Sequence, residues 1–209
     1  MQSGVLKEHP GGEPIVITGI GLLASVGDDR ESVWKAVRRG RSGVRALLPA
    51  PDNPVGLAIG APVEMPLEYP GQLKTIAMCQ RVAAEALADA EVELAKLDLH
   101  RFGCAISGHM GDTGWFDEQP GRRPAPHARE LPWWHQWLPN TACSLVANRY
   151  GLAGPRLCHS TACASGLIEV LSAVRAIRDG QCDIALAGSA EAFHPLFAAG
   201  FRAMRVLAT

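Results

Sequence analysis

The sequence predicts an α/β protein built on a largely parallel sheet. Apolar runs of strand length alternate with stretches of helical periodicity along most of the chain, the pattern of strands connected through helices. The first of those runs is apolar at both alternating positions, as in a strand covered by helices on both faces. The composition agrees: 209 residues, 47% hydrophobic and 20% charged, suffice for a sizeable globular core, with one domain as the default.

The elements follow in order. Residues 14–25, PIVITGIGLLAS, read as a buried strand. A helix follows in DDRESVWKAVRRG, with Asp28 and Asp29 as cap candidates, Val33, Trp34 and Val37 on one stripe, and Gly40 as the stop. Residues 41–72 are rich in Pro and Gly with little periodicity, so they read as an irregular connection. The Ala-rich stretch 73–90 places Ile76, Val82, Ala83, Ala86 and Leu87 near helical spacing, and 102–107, FGCAIS, forms a second strand. Residues 140–151 suit a helix capped by Asn140 and ended by Gly151. A third strand at 155–160 leads into a helix near 164–180, with Leu167, Val170, Leu171 and Val174 facing the core; CDIALAG, 182–188, is the fourth strand.

Several function classes are disfavoured. A net charge of −1 gives no field to draw in nucleic acid or an anionic membrane, and the basic clusters at 38–41 and 121–123 read as solvated ends. No run approaches the roughly 20 apolar residues of a spanning helix. Residues 1–13 are polar and broken by Pro and Gly, so we expect a flexible leader ahead of a domain from 14 to 209. The cysteines lie in apolar or small-residue runs without C-x-x-C spacing, which suits a reducing, cytoplasmic setting. Between 108 and 139 runs a long loop whose Trp133, Trp134 and Trp137 belong to the core, a pocket wall or a subunit interface.

Two stretches could carry chemistry. Gly19-x-Gly21-x-x-Ala24 has the spacing of a dinucleotide fingerprint, but Val26, Gly27, Asp28 and Asp29 intervene before a helix and the aspartates oppose phosphate, so a tight strand-to-loop turn is the better reading. The second stretch is 158–166, CHSTACASG. If the strand ends there, Cys163 stands at a helix N-terminus, where unpaired amides favour a thiolate and could stabilise an oxyanion; the small Ala162, Ala164, Ser165 and Gly166 leave room for substrate. The competing reading is a buried small-residue cysteine. His159 and His194 are candidate bases, with a structural role the simpler reading for each.

TACASG, preceded by GLAGP and followed by GQCDIALAGSAEA, together with ITGIGLLASVG near the start and GFRAMRVLAT at the end, resembles the beta-ketoacyl-[acyl carrier protein] synthases, nearest the type II elongating branch. The resemblance implies a thiolase-like fold: a mostly parallel mixed sheet with helices on both faces, here its N-terminal half only. It implies an acyltransferase in which Cys163 takes an acyl chain from a carrier-protein thioester and also donates its backbone N–H to the oxyanion. Decarboxylative Claisen condensation would follow, in fatty acid or polyketide biosynthesis. By the same match His109, Met110, Phe197 and Phe201 line or gate the acyl pocket, and Trp133 or Trp134 stands near a subunit interface.

The resemblance further implies acyl carrier protein as partner, no bound cofactor beyond the phosphopantetheine the carrier brings, no metal, and a homodimer or a complementary synthase chain. The sequence departs from the family in stopping at Thr209, before the half that carries two catalytic histidines and a lysine. None of His109, His127, His135, His159 or His194 stands in a motif that replaces them. Phe197 falls where elongating relatives often have glycine, which would shorten the pocket, and SGHMGD has Met110 and Asp112 in place of glycines. A non-catalytic accessory or remnant subunit that binds carrier protein or a complete synthase is the alternative; acyl transfer or thioester hydrolysis through Cys163 alone is a third. Exposed apolar faces are expected on the helices at 73–90 and 163–179.

Overall fold

A computed structural model of the chain describes residues 14–47, 57–68, 72–108, 133–192 and 195–207. Its elements are α1 (Arg30–Arg38), β1 (Arg45–Ala46), β2 (Ile59–Gly60), α2 (Lys74–Asp89), β3 (Phe102–Gly108), α3 (Trp133–Gln136), α4 (Thr141–Tyr150), β4 (Arg156–Leu157), α5 (Ser165–Arg178), β5 (Ile184–Ala190) and α6 (Pro195–Ala203). Short 3-10 turns occur at Leu94–Lys96, Leu99–Arg101 and Ala162–Ala164.

The main sheet has the order β4-β3-β5, with both pairings parallel. β3 is central and nearly all buried, and it pairs with β5 along its whole length, from Phe102 opposite Ile184 to Gly108 opposite Ala190. Alternation along β3 divides the core. Phe102, Cys104 and Ile106 pack with Ile76, Cys79, Ala83 and Leu87 of α2 and with Cys143, Val146 and Ala147 of α4. The intervening Gly103, Ala105 and Ser107 point to the other face, where α5 lies across β3 and β5. Their small size lets that helix approach closely. Helices therefore cover both faces, and the parallel α/β architecture is as expected. Among the described residues no helix is long and apolar enough to cross a membrane.

Four expectations are corrected. Residues 14–23 form no paired strand with the described residues, and Val16 and Ile17 are 66% and 79% exposed. An apolar run records a preference for burial but not whether its covering layer is at hand. The same holds for α5. It buries Ser165, Glu169, Ala173 and Ala176, while Leu167 is 79% exposed and Val170 and Leu171 also face outward. In α1, Val33 and Ala36 are buried, and Trp34 and Val37 are exposed. By contrast α2, where an exposed apolar face was expected, is well covered: Thr75, Ile76, Ala77, Met78, Cys79, Ala83 and Leu87 are all buried. The irregular connection holds one feature the sequence did not signal, the antiparallel pair β1–β2.

Candidate active site

Because β3, β4 and β5 are parallel, their carboxyl ends share one edge of the sheet, the edge at which parallel α/β sheets place ligands. β4 delivers residues 158–164 there, and β5 leads through Glu191 and Ala192 toward α6. The start of α5 meets the end of β5 directly: a Cβ on Gly166 would stand 2.7 Å from Ser189 Oγ, so a side chain there would force that hydroxyl to turn away.

Cys163 sits on a sharp bend between β4 and α5. Ala162 has φ = 50°, in the left-handed region that side chains avoid, and Ala162–Ala164 forms a single 3-10 turn before α5 begins. Strain of this kind, on a strand-to-helix turn that lifts a nucleophile into solvent, recurs at reactive serines and cysteines. The bend is held from both sides. Ser165 Oγ accepts the Thr161 N–H at 3.0 Å, and the Ala164 N–H donates to the Thr161 carbonyl at 3.2 Å. No side chain caps α5, so its first-turn amides are not taken by one. The Ala164 and Ser165 amides instead turn back to the Thr161 and Ala162 carbonyls.

All six cysteines are free, and Cys163 alone is exposed. The others are set apart by burial. Cys158, five residues earlier, donates to the Pro139 carbonyl at 3.0 Å and is pushed up to about 11, chiefly by burial. Burial likewise drives Cys79 up to about 12. Cys104 and Cys143 each reach the other's backbone carbonyl, and the neighbouring sulfur together with burial pushes Cys104 far up. The alternative of a buried, packing cysteine therefore does not hold for Cys163.

The His159 ring is engaged with α5. Its Nδ1 lies 3.2 Å from Glu169 Oε2 and 3.5 Å from Ser172 Oγ. These partners are six and nine residues beyond Cys163, roughly 9 and 13 Å along the helix axis. The imidazole thus packs along the flank of α5, the structural role that was its simpler reading. Sequence reasoning gave Glu169 no role, because a glutamate in an amphipathic helix is by default solvated; it is 0% exposed. Ala162 and Ser165 were read only as small residues, since neither strain nor a cap-like hydrogen bond has a sequence signature here.

Phe197 and Phe201 lie one turn apart on α6, both half-buried. Trp133 and Trp134 open α3. His109, Met110, Asp112, His127 and His194 lie outside the described residues, and the gate expectation for His109 and Met110 lies there with them. Among the described residues no group of three or more His, Cys, Asp or Glu side chains could hold a metal ion.

The competing glycine motif is filled by the protein itself. A Cβ on Gly19 would stand 2.3 Å from the Ala86 carbonyl oxygen, and one on Gly21 would stand 1.8 Å from that of Val82, so these glycines let the chain lie flush on α2. The amides that a phosphate would need are occupied: Ile20 N–H donates to Asp89, and Leu22 and Arg30 N–H donate to Glu85. Two carboxylates in the cradle exclude an anion. A tight turn does follow, with Ala24 and Gly27 exchanging backbone hydrogen bonds of 3.0 and 3.1 Å, and the glycines before it pack closely against a helix.

Known proteins resemble the chain in sequence and fold. The family model described as Beta-ketoacyl synthase, N-terminal domain matches residues 73–209. Nodulation protein E of Rhizobium sp. (strain N33) is 30% identical over 93% of this chain and 51% of its own length. The 3-oxoacyl-[acyl-carrier-protein] synthase 2 of Vibrio cholerae is 32% identical over 93% of this chain and 50% of its own. Among solved structures, a chain from a complex of a type II PKS acyl-carrier protein with its ketosynthase bound to the hexaketide superposes with a TM-score of 0.74 at 27% identity, covering 90% of this chain and 48% of that one. The chain spans about half the length of the curated relatives it matches.

Proposed function

The chain belongs to the beta-ketoacyl synthase family, and from that premise we propose that Cys163 accepts an acyl group from a carrier-protein thioester as the first step of a decarboxylative Claisen condensation. The observation that carries the reading is the exposed Cys163 on a strained bend at the uncapped start of α5. The sulfur attacks the thioester carbonyl carbon, and the carbonyl electron pair moves onto oxygen. The Cys163 N–H is one of the donors that hold that oxyanion. Collapse expels the phosphopantetheine sulfur, which takes up the proton the cysteine gave up, and the acyl group is left on Cys163. The carbanion formed when malonyl-carrier loses carbon dioxide then attacks the acyl carbonyl, releasing a 3-oxoacyl-carrier and the Cys163 thiolate, which takes a proton from water. Phe197 and Phe201 on α6 are assigned to the wall of the acyl pocket, and no cofactor is assigned beyond the carrier's phosphopantetheine.

We assign the decarboxylation to a synthase of which this stretch is the nucleophile-bearing part. The outward-facing Leu167, Val170 and Leu171, together with Val16 and Ile17, support a complementary synthase chain or a second copy as their cover. The same faces would serve an accessory subunit that binds carrier protein or a complete synthase without condensing anything, so one measurement separates the readings. Intact mass after incubation with a panel of acyl-carrier thioesters is expected to show one acyl adduct on the wild type and none on Cys163→Ala. A folded wild type that takes no acyl group from any thioester overturns the enzymatic reading and leaves the accessory one.

A further inference from the structure

We propose that Glu169 is a positioning residue for acyl transfer at Cys163, acting through His159; the inference rests on the acyl-transfer reading above. Glu169 has no exposed surface, and both of its oxygens go to one residue. Oε1 accepts the backbone N–H of His159, and Oε2 lies 3.2 Å from its ring Nδ1. A buried carboxylate is retained at a cost in desolvation, which these two contacts offset only if His159 stays in place. Ser172 closes the arrangement, with its Oγ 3.5 Å from Nδ1 while it donates to the Ile168 carbonyl at 2.7 Å.

The consequence is felt four residues on. Between His159 and Ser165 the backbone is tied to α5 at both ends, by Glu169 upstream and by Ser165 Oγ on the Thr161 N–H downstream. Ala162, with φ = 50°, lies between Thr161 and the nucleophile. A left-handed non-glycine residue persists only where its flanks over-determine it. Releasing His159 lets the bend relax and swings the Cys163 N–H away from the oxyanion. The sulfur stays exposed. Glu169 therefore governs a reaction that passes through an oxyanion and leaves untouched one that does not.

That difference provides the test. Acylation of Cys163 by a carrier thioester needs the aligned amide, whereas alkylation by iodoacetamide displaces iodide at a saturated carbon and needs none. In the full chain Glu169→Leu is expected to slow thioester acylation about 10- to 100-fold, the scale set by a misplaced catalytic group, with alkylation changed less than about three-fold. Glu169→Gln, which can accept from the His159 N–H and meet Nδ1 with its amide, is expected to restore acylation to within about three-fold of wild type. Acylation by Glu169→Leu at the wild-type rate overturns the inference, as does a proportional fall in both reactions. Should Glu169→Leu fail to fold, His159→Ala reads the same separation, and acylation at the wild-type rate overturns the inference there too. A wild type that takes no acyl group overturns the acyl-transfer reading and this inference with it. A wild type that acylates, matched by Glu169→Leu, overturns this inference alone.

Discussion

The N-terminal ends of α1 and α5 look alike in sequence, each a run of small residues between an apolar stretch and a helix, yet one is closed and the other open. At α1, Asp29 accepts the Ser32 N–H at 2.7 Å and its own N–H donates to Ser32 Oγ at 3.2 Å. Glu85 and Asp89 of α2 take the amides leading in. At α5 no side chain caps the first turn, and the nearest described carboxylate on that helix, Glu169, is turned inward to His159. Both ends carry the same partial positive charge. What separates them is which groups take the donors: carboxylates at α1, and at α5 only the backbone carbonyls of Thr161 and Ala162, which leave no negative side chain to repel an anionic transition state.

The largest effect expected from breaking the comparison is at the closed end. Gly21→Ala would drive a Cβ to within 1.8 Å of the Val82 carbonyl oxygen and 2.6 Å of its carbon, with backbone on both sides and nothing flexible to yield. The segment must lift from α2 and give up the hydrogen bonds to Asp89 and Glu85. A loss of about 2–3 kcal/mol in chemical denaturation is expected, with Cys163 acylation per folded molecule unchanged. Acylation lost in step with the packing would show that the two helix ends are coupled.

A smaller effect is expected at the open end, and its sign depends on the residue. Ala162→Val places a β-branched side chain at φ = 50° and is expected to cost about 2 kcal/mol. Ala162→Gly removes the strain while adding freedom to the unfolded chain, so stability should stay within about 1 kcal/mol of wild type. Acylation should fall in both variants, because the bend that aims the amide is lost. Equal stability of the two would mean that Ala162 is unstrained in solution. Asp29, with φ = −151°, is extended and offers no such asymmetry.

How far these differences were legible depends on whether they were written in residue type or in placement. TACASG marked the bend that carries the exposed Cys163, and apolar periodicity located α2, β3, α4, α5 and β5 well. Which face of α5 is buried was not legible. Leu167, Val170 and Leu171 form its strongest apolar stripe, but the face against β3 and β5 is the small one, Ser165, Ala173 and Ala176, with Gly166 against Ser189. Periodicity finds a stripe that needs burial. It does not say whether the covering layer lies within the same stretch of chain, and the exposed Val16 and Ile17 misled for that reason. Glu169 and the carboxylates on the 20–30 amides escaped notice because their partners lie 10 to 69 residues away in sequence.

The smallest expected effect is electrostatic and isolates the caps themselves. Hydrogen bonds from the Ser32 backbone and side chain hold the Asp29 carboxyl below its usual 3.8. A folded value below the unfolded one means the cap stabilises α1 fully above the unfolded value. That stabilisation is lost as pH falls through the folded one. Hydrogen-exchange protection of the Ser32 amide, beyond the intrinsic change of exchange rate with pH, should therefore show an acid step below about pH 4. Asp29→Asn caps without titrating, so it should keep the protection and lose the step. The first turn of α5, without a carboxylate cap, should show no matching step. If its amides titrate with the same midpoint, an acidic group closes that helix end too, and the open oxyanion site proposed for Cys163 is lost.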